Sequence, residues 1–225
     1  SRVSNLHIID NFSNDWTYSE ALIVFVIDDY FNTGILLSNI HESWLTKYAS
    51  TMKNDVRYIV SDCYETFPIP ENNNEKVASL TQTYFDKRDQ FKLNYNFGLN
   101  QLYRKYHNKA EFGFEIEEIR ELHKNIDIAV QEAYGWQDIA LRHDFYEVEY
   151  LPENDRVRYT IHPEARKEIL KRLLELNHKI HAEEVAAGLW DKKKAVKKEK
   201  VVKGKGNNLV NEPREKYGQG ELFGE

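Results

Sequence analysis

Two histidine-bearing strings in this 225-residue chain have the residue types for metal binding or catalysis. His178-x-x-His181, followed by Glu183 and Glu184, puts nitrogen and oxygen donors on one helix face, the donor set of a zinc-like ion. No second cluster supplies the remaining ligands, so an exposed helix surface is the plainer account. His143-Asp144 has the composition of a hydrolytic pair, but one dipeptide specifies little. His123 falls in an apolar helical series, where a hydrogen-bonded interior imidazole is the default. Trp44 and His41 read the same way, as core and its polar neighbour. The third constellation is one of charge. Lys53 and Asp55 flank Asn54 in a polar turn just ahead of Arg57 and Tyr58, so a donor and an acceptor stand two residues apart. Solvated charge on a turn, with Arg57 and Tyr58 bracing the proline-rich segment beyond, explains that pattern equally well.

The elements that must carry these residues are legible from periodicity. Residues 1–29 read as β, with Ala21-Leu-Ile-Val-Phe-Val-Ile27 an apolar run of strand length closed by Asp28-Asp29. Phe31, Ile35, Leu36, Ile40, Trp44, Leu45 and Tyr48 recur at helical steps up to Ser50. A polar turn over Thr51–Asp55 and a strand over Val56–Val60 come next. Phe67-Pro-Ile-Pro70 then forms a stiff strap, because proline fixes φ and forbids ladder pairing. Beyond it the chain becomes helical. Asn72-x-x-Glu75 resembles a capping box, opening a helix with Val77, Leu80, Tyr84 and Phe91 that ends near Leu93. A short amphipathic piece starts after Gly98. Ile116, Ile119, His123, Ile126, Val130 and Ala133 define the cleanest seam, closed by Gly135 as a left-handed cap. A β-hairpin is expected from Phe145–Tyr150 and Val157–Ile161 about a turn at Pro152–Asp155. Pro163 then starts a last helix, reaching about Ala187. The fold class is α+β and mostly α-helical: a strand–helix–strand unit followed by a helical domain with one β-hairpin. Residues 1–70, 71–190 and 191–225 are the expected divisions, the last a Lys-rich disordered tail.

Bulk properties narrow the classes. With 41% hydrophobic residues, 13% aromatic and a mean hydropathy of −0.70, the chain is folded and water-compatible. No run of 18 apolar residues offers a membrane span. The single cysteine, Cys63, excludes an intrachain disulfide and fits a reducing cytoplasm. The net charge of −6 conceals eight lysines against two carboxylates in residues 191–205. The remainder is strongly acidic, an awkward property for a stand-alone nucleic-acid binder. The Lys run is either an arm for phosphates or a solvated tail. The start, Ser1-Arg-Val-Ser-Asn, has neither Met nor a signal core and suggests a piece of a longer polypeptide.

Several strings, in order, resemble one family. Arg57-Tyr-x-x-Ser61-Asp-x-x-x-Thr66-Phe-Pro-x-Pro70 comes after a Trp-bearing helix. Gly98-Leu-x-x-Leu-Tyr103 precedes His107, and Ile119-Arg-Glu-Leu-His123 leads to Asp127. Ala133-Tyr-Gly-Trp136, His143-Asp-Phe145, Tyr159-Thr-Ile-x-Pro163 and Leu173-Leu-Glu-Leu-Asn-His178 complete the set. Together they are similar to the end of the target-recognition region and the helical C-terminal domain of large single-chain adenine DNA methyltransferases. Those enzymes belong to type IIG/IIL restriction–modification systems and related phage-defence systems such as BREX and DISARM. His162 stands where that family tends to place Ser, which would weaken a helix cap.

The resemblance implies an enzyme that uses S-adenosylmethionine to methylate adenine N6 in a duplex site. That chemistry needs a Gly-rich cofactor loop and an Asn/Asp-Pro-Pro-Tyr/Phe clamp on a flipped base. Neither string occurs here, so this chain is expected to be non-catalytic and to hold no cofactor. Its expected partners are double-stranded DNA and an N-terminal methyltransferase domain of the same polypeptide, with no membrane. In the resembling family, charged residues two apart at the position of Lys53 and Asp55 vary with the base read there. A Lys can donate to guanine O6 and N7 while an Asp accepts from cytosine N4. Lys53, Asp55, Arg57 and Tyr58 are therefore the expected DNA-binding residues. The rival from another class is a helical scaffold domain that docks a partner subunit, and a small metal hydrolase built on the histidines is a third reading.

Overall fold

The computed structural model describes residues 3–12, 15–52, 55–72 and 74–190. The expected tail at 191–225 lies outside the described residues. The chain divides into two compact units, residues 1–173 and 174–225. Seven helices and two small antiparallel sheets are described, so the fold is α+β and mostly helical.

In the first unit, Asp29 caps α1 (Tyr30–Leu37) by accepting the Asn32 N–H at 2.7 Å. The single helix expected up to Ser50 is in fact two, because Ser38 breaks it. Its hydroxyl donates to the Ile35 carbonyl at 2.7 Å and accepts the His41 N–H at 3.3 Å, closing α1 and opening α2 (Asn39–Tyr48). The expected turn over 51–55 is a hairpin instead, β2 (Ser50–Met52) and β3 (Asp55–Arg57), joined by residues 53 and 54. With β1 (Val3–Ser4) it forms a three-stranded sheet in the order β1-β3-β2. The strand expected to run to Val60 stops at Arg57, and Val60–Cys63 is a helical turn, α3. Ala21–Ile27 is not a strand, since no segment among the described residues pairs with it.

Beyond the Pro strap, α4 (Glu75–Tyr95) starts at Asn74 rather than Asn72, whose place as cap is taken by the Asn74 oxygen accepting from Lys76 N–H at 2.9 Å. It ends on Asn96 in the left-handed region, φ 53°. After α5 (Leu99–Tyr106) comes α6 (Phe114–Ala133), closed as expected by Gly135 at φ 73°. There the Gly135 N–H bonds Glu132 and the Trp136 N–H bonds Gln131, the paired bonds of a Schellman ending. The hairpin β4 (Asp144–Glu147) and β5 (Val157–Thr160) is next, then α7 (Pro163–Ala186). His162 does not weaken the start of α7, because its Nδ1 accepts the Glu164 N–H at 3.1 Å in place of a serine oxygen.

One buried cluster runs from Leu6 through Ile35, Trp44, Tyr84, Ile126 and Ile169 to Leu173, shared by residues on both sides of the strap. α1 and α4 approach closely at Gly34, where an added Cβ would meet Val77 Cγ1 at 2.8 Å and Thr81 Oγ1 closer still. A second, smaller cluster of Leu45, Tyr58 and Cys63, with Ile23, Phe25 and Val56 against it, sits under the β2–β3 hairpin. In the second unit, the described residues end the last helix at Gly188, φ 75°, with the Leu189 N–H bonded to Glu184.

Candidate nucleic-acid interface

The β2–β3 hairpin sorts its side chains by strand alternation. Val56 and Tyr58 turn inward onto the Leu45–Cys63 cluster, leaving Asp55 and Arg57 together on the opposite face. Asp55 is exposed and Arg57 half-buried, and neither has a hydrogen-bond or ion-pair partner among the described residues. The register pairs Arg57 with Val3 on one side and Ser50 on the other, so the guanidinium rises from the middle strand. Lys53 lies outside the described residues. Residues 1–71 contain only Arg2, Lys47, Lys53 and Arg57 as Lys or Arg, against ten carboxylates. Three of those four cations fall between positions 47 and 57. The one locally basic stretch of an acidic region thus includes the hairpin.

Tyr58 belongs to the bracing. It is 7% exposed, so its hydroxyl is not available to a phosphate. Burial pushes the His41 imidazole down to about 3, so a single N–H remains to be assigned. Nδ1 faces the Leu36 carbonyl at 3.1 Å, and Nε2 lies 3.3 Å from the Cys63 carbonyl and 3.2 Å from the Tyr58 hydroxyl. Trp44 donates to Thr66 Oγ1 at 3.3 Å, and His41 meets Phe67 edge-on at 4.8 Å. The strap is pinned from its other side, where the Tyr134 hydroxyl donates to the Pro68 carbonyl at 2.8 Å and Tyr134 stacks on Trp136. Aromatic residues of two motif strings, with His41 and Trp44 of α2, therefore hold the strap that follows the hairpin.

The other constellations converge elsewhere. Asp127, fully buried, accepts the Asn39 backbone N–H and the Asn39 side-chain amide, each at 2.7 Å, and His143 Nε2–H at 2.7 Å. The Thr160 hydroxyl donates to Asn39 Oδ1 and in turn accepts from Arg166. His123 spans Leu37 and α5: Nε2–H donates to the Leu37 carbonyl at 3.1 Å, and Nδ1 accepts the Tyr106 O–H at 2.8 Å. Burial alone would raise the Asp127 carboxyl, but its electrostatic interaction with nearby His123 and hydrogen bonds from His143 and Asn39 hold it below its ordinary value. Arg120, also buried, donates to the carbonyls of Lys105, Tyr106, Asn108 and Glu111, tying down the end of α5 and the loop after it. These are satisfied interior networks with no open position for a substrate.

His143 therefore partners Asp127, sixteen residues back, while the adjacent Asp144 carboxylate accepts the Phe145 N–H. The His143-Asp144 pair does not form a hydrolytic unit. Among the described residues, no three of His, Cys, Asp and Glu converge as a metal ion requires, and His181 lies edge-on against Trp190 at 4.9 Å. No described helix is long and apolar enough to cross a membrane. Asn39 and Asp127 escaped the sequence reading as a pair because 88 positions separate them. The one signal available was Asp127's place on the buried seam of α6, four residues after His123.

Residues 7–71 match the family model described as MmeI, target recognition domain. The matched stretch holds α1, α2, the β2–β3 hairpin and the whole Pro strap. The chain is also 31% identical over 75 residues to DNA methyltransferase A of Bacillus subtilis (strain 168), an overlap covering 33% of this chain and 8% of that protein. The chain thus matches only a small fraction of that relative's length. No solved structure matches.

Proposed function

We propose that this chain is the DNA-reading module of a site-specific adenine-N6 methyltransferase of a restriction–modification or phage-defence system. The match of residues 7–71 to a target recognition domain is the observation that carries this reading. A two-stranded ribbon is one of the few shapes the major groove of B-DNA admits. The hairpin offers such a ribbon, with Asp55 and Arg57 on one face and without side-chain partners among the described residues. In this reading Lys53 and Asp55 address the two edges of one G·C pair, and Arg57 contacts a phosphate. Tyr58 supports them from below.

The cofactor pocket and the clamp on the flipped base lie on another part of the same polypeptide. That part brings S-adenosylmethionine and transfers the methyl group, and this chain places it. The enzyme acts where cellular DNA is, in the cytoplasm. The acidic surface fits a division of labour in which the module contributes base selection and other parts contribute most of the phosphate grip.

The rival, a protein-docking helical domain, draws on the exposed Leu93, Phe112 and Phe114. Titrating the 225-residue chain with duplex DNA at several salt concentrations separates the two. Binding that weakens with salt, with Arg57→Ala lowering the slope of log K against log salt by about 1, supports the module. Binding absent at low salt removes it. In the intact enzyme, exchanging the charges at Lys53 and Asp55 should change the base modified around at one position.

A further inference from the structure

Residues 22–28 are the anomaly of the fold. Exposure alternates along them, with Leu22, Val24 and Val26 at 40%, 50% and 101% and with Ile23, Phe25 and Ile27 turned partly inward. That is strand periodicity. Yet no backbone group from Ile23 to Asp28 makes a hydrogen bond among the described residues. Beside the segment lies a groove of about 640 Å³, walled across from it by Leu6, Ile8 and Ile9, which come just after the outer strand of the sheet. Apolar side chains on both faces mark a strand meant to be covered on both. A free backbone edge of this kind invites another strand.

The flanking charges say which strand. Glu20 stands at one end and Asp28 and Asp29 at the other. A second copy paired antiparallel about Val24 would set Glu20 against Asp28, carboxylate to carboxylate, which disfavours self-pairing. DNA phosphates and anionic lipid headgroups meet the same repulsion. An uncharged apolar strand with a cationic residue at each end meets none of these objections. An edge this apolar is an aggregation site unless covered continuously, and a segment held at high local concentration covers it best.

We infer that residues 22–28 form an acceptor edge that pairs with an apolar, cationic-ended β-strand of the methyltransferase's catalytic part, filling the groove beside Leu6 and Ile8. The source of the strand rests on the function proposed above; the edge itself does not. The test is amide hydrogen exchange on the 225-residue chain, with a nine-residue peptide of alternating valine and threonine carrying a lysine at each end. Alternate amides between Ile23 and Ile27, those facing the added strand, should exchange about tenfold more slowly with this peptide, and at the free-chain rate with the same peptide ended in glutamate. Val26→Pro removes one N–H from the edge and should abolish the slowing. If that variant melts early, Val24→Lys with Val26→Lys should abolish it by charge.

No slowing with the lysine-ended peptide overturns the inference, as does equal slowing by both peptides. Slowing that appears with rising chain concentration alone assigns the edge to a second copy and also overturns it. So does slowing caused by duplex DNA. The duplex titration stands apart: its failure with peptide protection intact would discard the DNA reading and leave the acceptor edge standing.

Discussion

The network around Asp127 and the outer face of the β2–β3 hairpin are opposites. The first gathers a carboxylate, two histidines, an asparagine and a threonine within hydrogen-bonding distance, and every one of them is occupied. The second has little more than Asp55 and Arg57, and both are free among the described residues. Density of titratable groups is thus a poor guide to which side chains are left available. What separates the regions is satisfaction. A buried polar group with all its partners holds the fold together, whereas an unpartnered charged pair on a ribbon is available to something else.

The contrast can be broken from its buried side first. Asp127→Ala leaves the Asn39 and His143 donors without an acceptor and should cost about 3–5 kcal/mol in urea unfolding. A loss below about 1 kcal/mol would reduce the network to decoration. Gly34→Ala comes next. The new methyl drives α1 against Val77 and Thr81 of α4 and should cost about 1–3 kcal/mol. A neutral result would show that α4 can retreat.

The third test uses pH. His41 titrates at about 3 in the folded protein, against an ordinary value of 6.5. The unfolded chain takes up that proton as pH falls through 6.5, while the folded one resists until about 3. Stability is therefore complete above pH 6.5 and declines through that window by up to about 1.4 kcal/mol per pH unit for this residue. His41→Gln should flatten that slope in urea midpoints taken between about pH 7 and pH 5. An unchanged slope would mean that His41 is not held neutral. The smallest effect sharpens the contrast most. Asp55→Ala and Arg57→Ala should each leave stability within about 0.5 kcal/mol while changing duplex binding. A larger loss of stability would make the hairpin face one more structural network.

Much of the helical architecture was legible because apolar residues recur at three and four, and nowhere more clearly than on the Ile116–Ala133 seam. Gly135 ended that helix for the reason its type suggests. The break at Ser38 was hidden, since Ile35, Leu36, Ile40 and Trp44 keep helical spacing across it. Only the Ser38 hydroxyl and a carboxylate 88 residues downstream of Asn39 mark the change of direction. Three-residue strands such as β2 are too short to show a period of two. Ala21–Ile27 is an unbroken apolar run of strand length and lacks a paired neighbour among the described residues, which no local pattern reveals. At the site, alternation places Asp55 and Arg57 outward and Tyr58 inward once the strand is in register. Of the two roles open to Tyr58 in the sequence, phosphate contact or bracing, its buried ring and the His41 contact fit bracing.

The junction at Ser38 and Asn39 has a further consequence for how such proteins diversify. α2 is anchored at its first residue by Asp127 and delivers the chain at its last to β2, so the strand is set from the interior end. Under the function proposed above, residues 50–57 form an interchangeable cartridge, with the aim inherited from a part of the molecule that no new target sequence would need to alter.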